Sequence, residues 1–236
     1  MRRSGRNFLR ALLALLLLVI VFGAFWLGLV PQRYSPLATI SLADPPTWFV
    51  DFRLAALRRD PEQCRAVLLA PHIVATPIAD KVQPNGCGWT NAVRVAEVGG
   101  AQIGLEQLTC EAATALALWI EYQVQPLAVE MFGSRVAWMQ DMGTYSCRNI
   151  IGNKRWMNMR SQHSLANAVD IGAFRLANGK QISITKDYKA DSPEGRFLRE
   201  AHMRACGYFR VAIGPQFNAA HKDHLHLDRG ILTRCQ

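Results

Sequence analysis

The sequence predicts an α+β domain, with a mainly antiparallel sheet and flanking helices, preceded by one N-terminal transmembrane helix. Three observations predict it. Ala11 to Val30 is a run of 20 residues without a charge. Beyond it, helical and strand-like patterns are mixed without a regular βαβ rhythm. Asn178-Gly179 lies between two strand-like runs, which is a hairpin signal.

At 1.5 Å per residue the apolar run makes a helix about 30 Å long, the thickness of a bilayer core. Arg2, Arg3, Arg6 and Arg10 precede it and Arg33 closely follows. The positive-inside bias therefore puts residues 1–10 in the cytoplasm and the remainder outside. The run is longer than the apolar core of a signal peptide and no A-x-A-like site follows, so an uncleaved anchor over 11–30 is expected. The formal net charge is +9, but residues 1–35 hold five Arg and no acid, which leaves +4 for the rest. That balance argues against a nucleic-acid partner. All six cysteines, Cys64, Cys87, Cys110, Cys147, Cys206 and Cys235, follow the apolar run and none forms a C-x-x-C pair. An even count in an oxidising compartment reads as three disulfides. Spacing does not choose the partners; the expectation adopted is chain order, 64–87, 110–147 and 206–235.

Residues 31–48, with Pro31, Pro36, Pro45 and Pro46, read as a linker, and 49–236 as the domain. Thr47 to Leu69 fits one or two short helices, and Ala92 to Val98 alternates as a strand. Thr109 caps a helix to about Tyr122, with Glu111 in its first turn, and Pro126 starts a second piece through Phe132. Val136–Met139 reads as a strand, and Ala168–Phe174 with Gln181–Thr185 as the hairpin. Ser192-Pro193 opens a helix to about Cys206 that Gly207 can close in the left-handed conformation. Tyr208–Ile213 and His224–Asp228 are further strands. The tryptophans read as core or membrane-boundary residues.

Four of the six histidines fall in two segments, Ser161–Asp170 and His221–Asp228. Catalytic zinc takes three protein ligands, commonly two His and a carboxylate, and keeps a fourth position open. His163, Asp170 and a His of the second segment supply that set. On a strand, His224 and His226 would share a face, so one could bind Zn2+ while the other faces substrate. His221 reads as a rim residue and Asp228 as a partner that orients a zinc histidine.

S-x-H-x6-D followed by H-x-H resembles the zinc D-Ala-D-Ala peptidase and hedgehog superfamily. The wider text resembles the extensin-like C-terminal domain family of bacterial envelope proteins. Ala43-Asp44-Pro45-Pro46, Thr144-Tyr145-Ser146-Cys147-Arg148, Ser161-Gln162-His163, Asn167-Ala168-Val169-Asp170-Ile171 and His221 to Asp228 carry that likeness, in order, over residues 43–235. The resemblance implies a hedgehog/DD-peptidase-like fold and Zn2+ on His163, Asp170 and His226. It implies that His224 assists the water or the transition state, that Asp223 is a general base, that Arg148 holds substrate or oxyanion, and that Ser161 contacts substrate. It further implies a metallopeptidase, either an endopeptidase or a carboxypeptidase, acting on peptidoglycan stem peptides from the periplasmic side of the inner membrane. An inactive zinc-stabilised wall-binding or partner-binding domain is the alternative. Where peptidase relatives carry Gly shortly after the first His region, this chain has Ala166-Asn167. An ideal strand would turn Asp223 away from His224 and His226, so Asp223 needs an irregular backbone to join them.

Overall fold

The computed structural model describes residues 2–34, 38–152 and 154–236. It is an α+β domain with a long apolar helix in front of it. That helix, α1 (Arg2–Trp26), contains a 22-residue apolar stretch, Gly5–Trp26, which nothing else in the protein covers. It is long and apolar enough for a membrane span or a signal sequence. It closes at Trp26, short of the expected Val30.

The stretch expected as a linker does not run free. Ile40 and Leu42 are buried in the main core, and the Tyr122 hydroxyl donates to the Leu42 carbonyl at 2.7 Å. Apolar residues between the prolines thus pull the chain onto the domain before position 49. Pro36 lies outside the described residues.

Two short helices follow, α2 (Val50–Leu57) and α3 (Pro61–Leu68), the second capped by Asp60, whose side chain accepts from Gln63 N–H. Next come β1 (Ile73–Pro77), a small hairpin of β2 (Lys81–Val82) and β3 (Gly88–Trp89), and then β4 (Ala92–Val98) and β5 (Ala101–Thr109). Gly99 and Gly100 join β4 to β5, both at positive φ, as a two-residue hairpin turn demands. A side chain at Gly99 would strike Ile120 at 2.8 Å.

Thr109 caps α4 (Cys110–Trp119), as its sequence predicts. The helix does not break before Pro126. It widens into a π turn over Ile120–Val124 and continues as α5 (Gln125–Phe132). Proline lacks an N–H and crowds the carbonyl four residues back, and the wider turn accommodates both. Then follow β6 (Val136–Gly143), β7 (Ala168–Leu176), β8 (Gln181–Ser183), α6 (Ile184–Asp187), α7 (Pro193–Ala205), β9 (Val211–Ile213), β10 (Leu225–Asp228) and β11 (Arg234–Cys235). The β7–β8 hairpin forms at Asn178-Gly179, with Gly179 at φ 87°. Ser192 caps α7, but Gly207 does not take the left-handed conformation; Tyr208 and Phe209 N–H close the helix on the Ala205 carbonyl instead.

Among the described residues the main sheet runs β1-β4-β5-β6-β7-β10-β9-β11, with β8 beside the far half of β7. Only β5–β6 and β9–β11 are parallel pairs. Leu225 and Leu227 join the core that includes Trp119, Phe174 and Phe197 on the helix-covered side. Strand alternation therefore puts His226 and Asp228 on the opposite face.

The three disulfides are Cys64–Cys110, Cys87–Cys147 and Cys206–Cys235. Chain-order pairing holds only for the last and fails for 64–87 and 110–147. The sheet is the reason. Cys64 on α3 packs beside the start of α4, whereas Cys87, in the β2–β3 hairpin, faces the segment after β6.

Candidate metal centre

Asp170 and His226 sit directly opposite each other across the antiparallel β7–β10 pair, with Gly143 of β6 on the other side of Asp170. Opposed residues share a face with their β-carbons about 5 Å apart. The β6 register slips between Gln140 and Gly143, beside Asp170, as bulges often do at functional sites. Gly172 lets the Met142 side chain lie close against β7, where a β-carbon would come within 2.5 Å of its Sδ.

His163 arrives from a 3₁₀ turn, Gln162–Leu165, just before β7. Ser161 caps this turn: it is buried, and its hydroxyl accepts from His163 N–H at 3.3 Å. The structure thus gives Ser161 a task in building the turn that presents His163. Ala166 ends the turn at φ 50°, a left-handed position that suits glycine better than alanine. Gly230 leaves room for Gln162, whose side chain would be 2.7–2.9 Å from any β-carbon there.

The three side chains converge. His163 Nε2 lies 3.0 Å from His226 Nδ1 and 3.2 Å from Asp170 Oδ2; His226 Nδ1 lies 3.0 Å from Asp170 Oδ1. All three residues are buried. The outer nitrogens are committed. His163 Nδ1–H donates to the Thr144 carbonyl at 3.2 Å, and His226 Nε2–H donates to Asp228 Oδ2 at 3.0 Å. Both inner nitrogens therefore aim lone pairs at one point beside a carboxylate, and such a point asks for a cation.

A proton can fill that role. Burial pushes His226 down, but Asp170 and Asp228 outweigh it and raise its pKa to about 9. Burial likewise opposes charge on Asp170, but the bonds to His163 and His226 prevail and hold it well below the usual carboxylate range. A divalent ion also fits. Ligands at about 2.0–2.2 Å around tetrahedral zinc stand about 3.3–3.6 Å apart, slightly more than the 3.0–3.2 Å edges of this triangle. The donor set and its orienting partners therefore fit zinc.

His224 precedes β10 rather than starting it, and the turn at Lys222-Asp223 supplies the irregular backbone that the strand pattern lacks. Its Nε2 reaches to 3.6 Å from Asp170 Oδ2, while its Nδ1–H donates to Asp223 Oδ1 at 2.9 Å. Asp223 thus stands behind His224 rather than at the ion position. Arg148 is half-buried, and its Nη1 makes one long bond, 3.4 Å, to the Asn149 carbonyl. Its charge reaches His221, where burial first, then His226 and His224, lower the pKa to about 4.

His221, read from the sequence as a rim residue, is half-buried beside the centre: its ring centroid lies 5.3 Å from that of His224 and 5.6 Å from that of His226, and Asn218 Oδ1 holds its Nδ1 at 2.7 Å. One neighbour escapes the sequence reading. Thr144 acts through its carbonyl, and only its place in the Thr144–Arg148 motif hints at that.

The family model described as "Extensin-like protein C-terminus" matches residues 62–236, a span that holds every residue of this centre and all six cysteines. No curated protein and no solved structure matches the chain.

Proposed function

Because the chain belongs to the extensin-like C-terminal family, we propose that it is a zinc-dependent peptidase, an endopeptidase or carboxypeptidase, acting on peptidoglycan stem peptides. In this reading α1 anchors it in the inner membrane, with the domain in the periplasm. The observation that carries the reading is the triangle of His163 Nε2, Asp170 carboxylate and His226 Nδ1, with both outer imidazole nitrogens tied to acceptors. The resemblance to zinc D-Ala-D-Ala peptidases and hedgehog-type domains supports it.

His163, Asp170 and His226 would hold the ion. Zinc, when bound, supplies a Lewis acid for the scissile carbonyl and a water acidified to a pKa of about 7. The chain's own residues manage protons and charge. His224 takes a proton at Nε2, and Asp223 on its Nδ1–H steadies the imidazolium that results. Asp223 thus serves the base as its partner. Arg148, half-buried at the site's margin, receives the substrate carboxylate or the developing oxyanion.

The test is incubation of the purified full chain, in detergent, with sacculi, and mass analysis of released muropeptides alongside metal analysis. Zinc at one equivalent with no release would leave the wall-binding alternative. Absence of zinc after reconstitution would sink both readings. His224→Ala is expected to keep zinc and slow release by roughly 10²–10⁴-fold, since only proton transfer is removed; unchanged rates would remove His224 from the mechanism. Asp228→Asn is expected to weaken zinc binding by about 10–100-fold in a chelator competition, because His226 loses the carboxylate that fixes its tautomer.

A further inference from the structure

Trp48, Phe49 and Phe52 leave 70%, 50% and 61% of their surface exposed, three aromatic rings within five residues at the start of α2. None of them serves the core or the metal centre. Phe49 is also strained. It sits at φ 65° as the residue before α2 and makes no side-chain cap bond. A bulky side chain rarely takes this conformation, and here the helix gains no cap from it. Strain and exposed rings together indicate a use outside the fold.

The position of the patch says what that use is. The Thr47 hydroxyl donates to the Arg33 carbonyl, and Tyr34 meets Trp48 edge-on at 6.4 Å between ring centroids, with the Arg33 guanidinium 5.1 Å over Tyr34. The patch is thereby clipped to the chain just after α1. Arg33 lies seven positions after Trp26, at most about 25 Å when extended, and turns at Gly28 and Tyr34 shorten this. Trp26, Leu27 and Leu29 are exposed on the same stretch. Tryptophan, tyrosine and arginine beside an apolar helix are the residues that settle at the headgroup level.

We propose that Trp48, Phe49 and Phe52 seat the domain on the outer phospholipid surface of the bilayer that holds α1, with Arg33 at the level of the phosphates. The inference rests on α1 being a retained span and is independent of the peptidase chemistry. The test uses the full chain in vesicles of phosphatidylethanolamine with a minority of phosphatidylglycerol, whose acyl chains carry bromine as a contact quencher of tryptophan. Trp48→Tyr should remove about half of the quenchable emission, leaving that of Trp26. Phe49→Ser with Phe52→Ser should reduce Trp48 quenching while the chain stays on the vesicles through an alkaline wash. Loss of the chain in that wash overturns the span and the seat together. Retention with no quenching assigned to Trp48 overturns the seat alone. Quenching that changes only as protein density rises would assign the patch to a second copy and also overturn it. Muropeptide release from soluble sacculi fragments is read separately, so failure of the peptidase reading is not confused with either.

Discussion

Asp170→Asn is expected to leave the full chain without bound zinc and to cut muropeptide release by about 10³-fold or more, equivalent to about 4 kcal/mol of transition-state stabilisation. The amide has the size of the carboxylate, so β7 keeps its register against β10. What goes is the negative charge on which both inner imidazole nitrogens converge. Without it, His163 and His226 face each other at 3.0 Å, and the carboxylate that remains on the pair, Asp228, sits at the outer nitrogen of His226, away from the ion position. Metal analysis and release kinetics on the same preparation check the result. Zinc retained at one equivalent, with release unchanged, would refute the assignment of Asp170 as a ligand.

Glu111→Ala is expected to cost about 3–5 kcal/mol of stability, read from urea or thermal unfolding of the full chain in detergent. Glu111 is buried at the start of α4 and bonds both Arg58, at 2.7 Å, and Arg229, at 2.8 Å. Arg229 is buried too, and its other partners are Asp51 and the Tyr208 carbonyl. Truncating Glu111 leaves a buried guanidinium short of its main counter-charge, which is the costly way to break a buried pair. Arg229 follows Asp228 directly, so the damage extends to the strand that carries His226. Zinc affinity should fall with stability. A loss under about 1 kcal/mol would mean that water replaces the carboxylate and that the network is not structural.

Local signals were legible where one segment carries its own reason to fold. Thr109 and Glu111 marked the start of α4, Asn178-Gly179 marked the β7–β8 turn, and the alternation of Ala92–Val98 coincides with β4. Missed features depend on distant partners. β5 alternates Ala101, Ile103 and Leu105 inward, but Gly104 weakens its strand propensity and only β4 and β6 on either side fix it. Disulfide partners follow from the sheet order, which chain order does not reveal. At the candidate centre, His163, Asp170 and a histidine of the second segment stood out because imidazole and carboxylate cluster in two short segments; the family resemblance then singled out His226. Asp223 was visible as a candidate base that needed an irregular backbone, and the turn before β10 supplies that irregularity and puts its carboxylate on His224 Nδ1–H. Thr144 contributes a backbone carbonyl, and any residue type offers one.

The Cys87–Cys147 bridge bears on how firmly the centre is held. It clamps the strand exit that carries Thr144 to a hairpin 60 residues upstream. Without it, no covalent link would hold the carbonyl behind His163. On the zinc reading proposed above, reduction of this bridge is therefore expected to loosen the centre and weaken its hold on the ion.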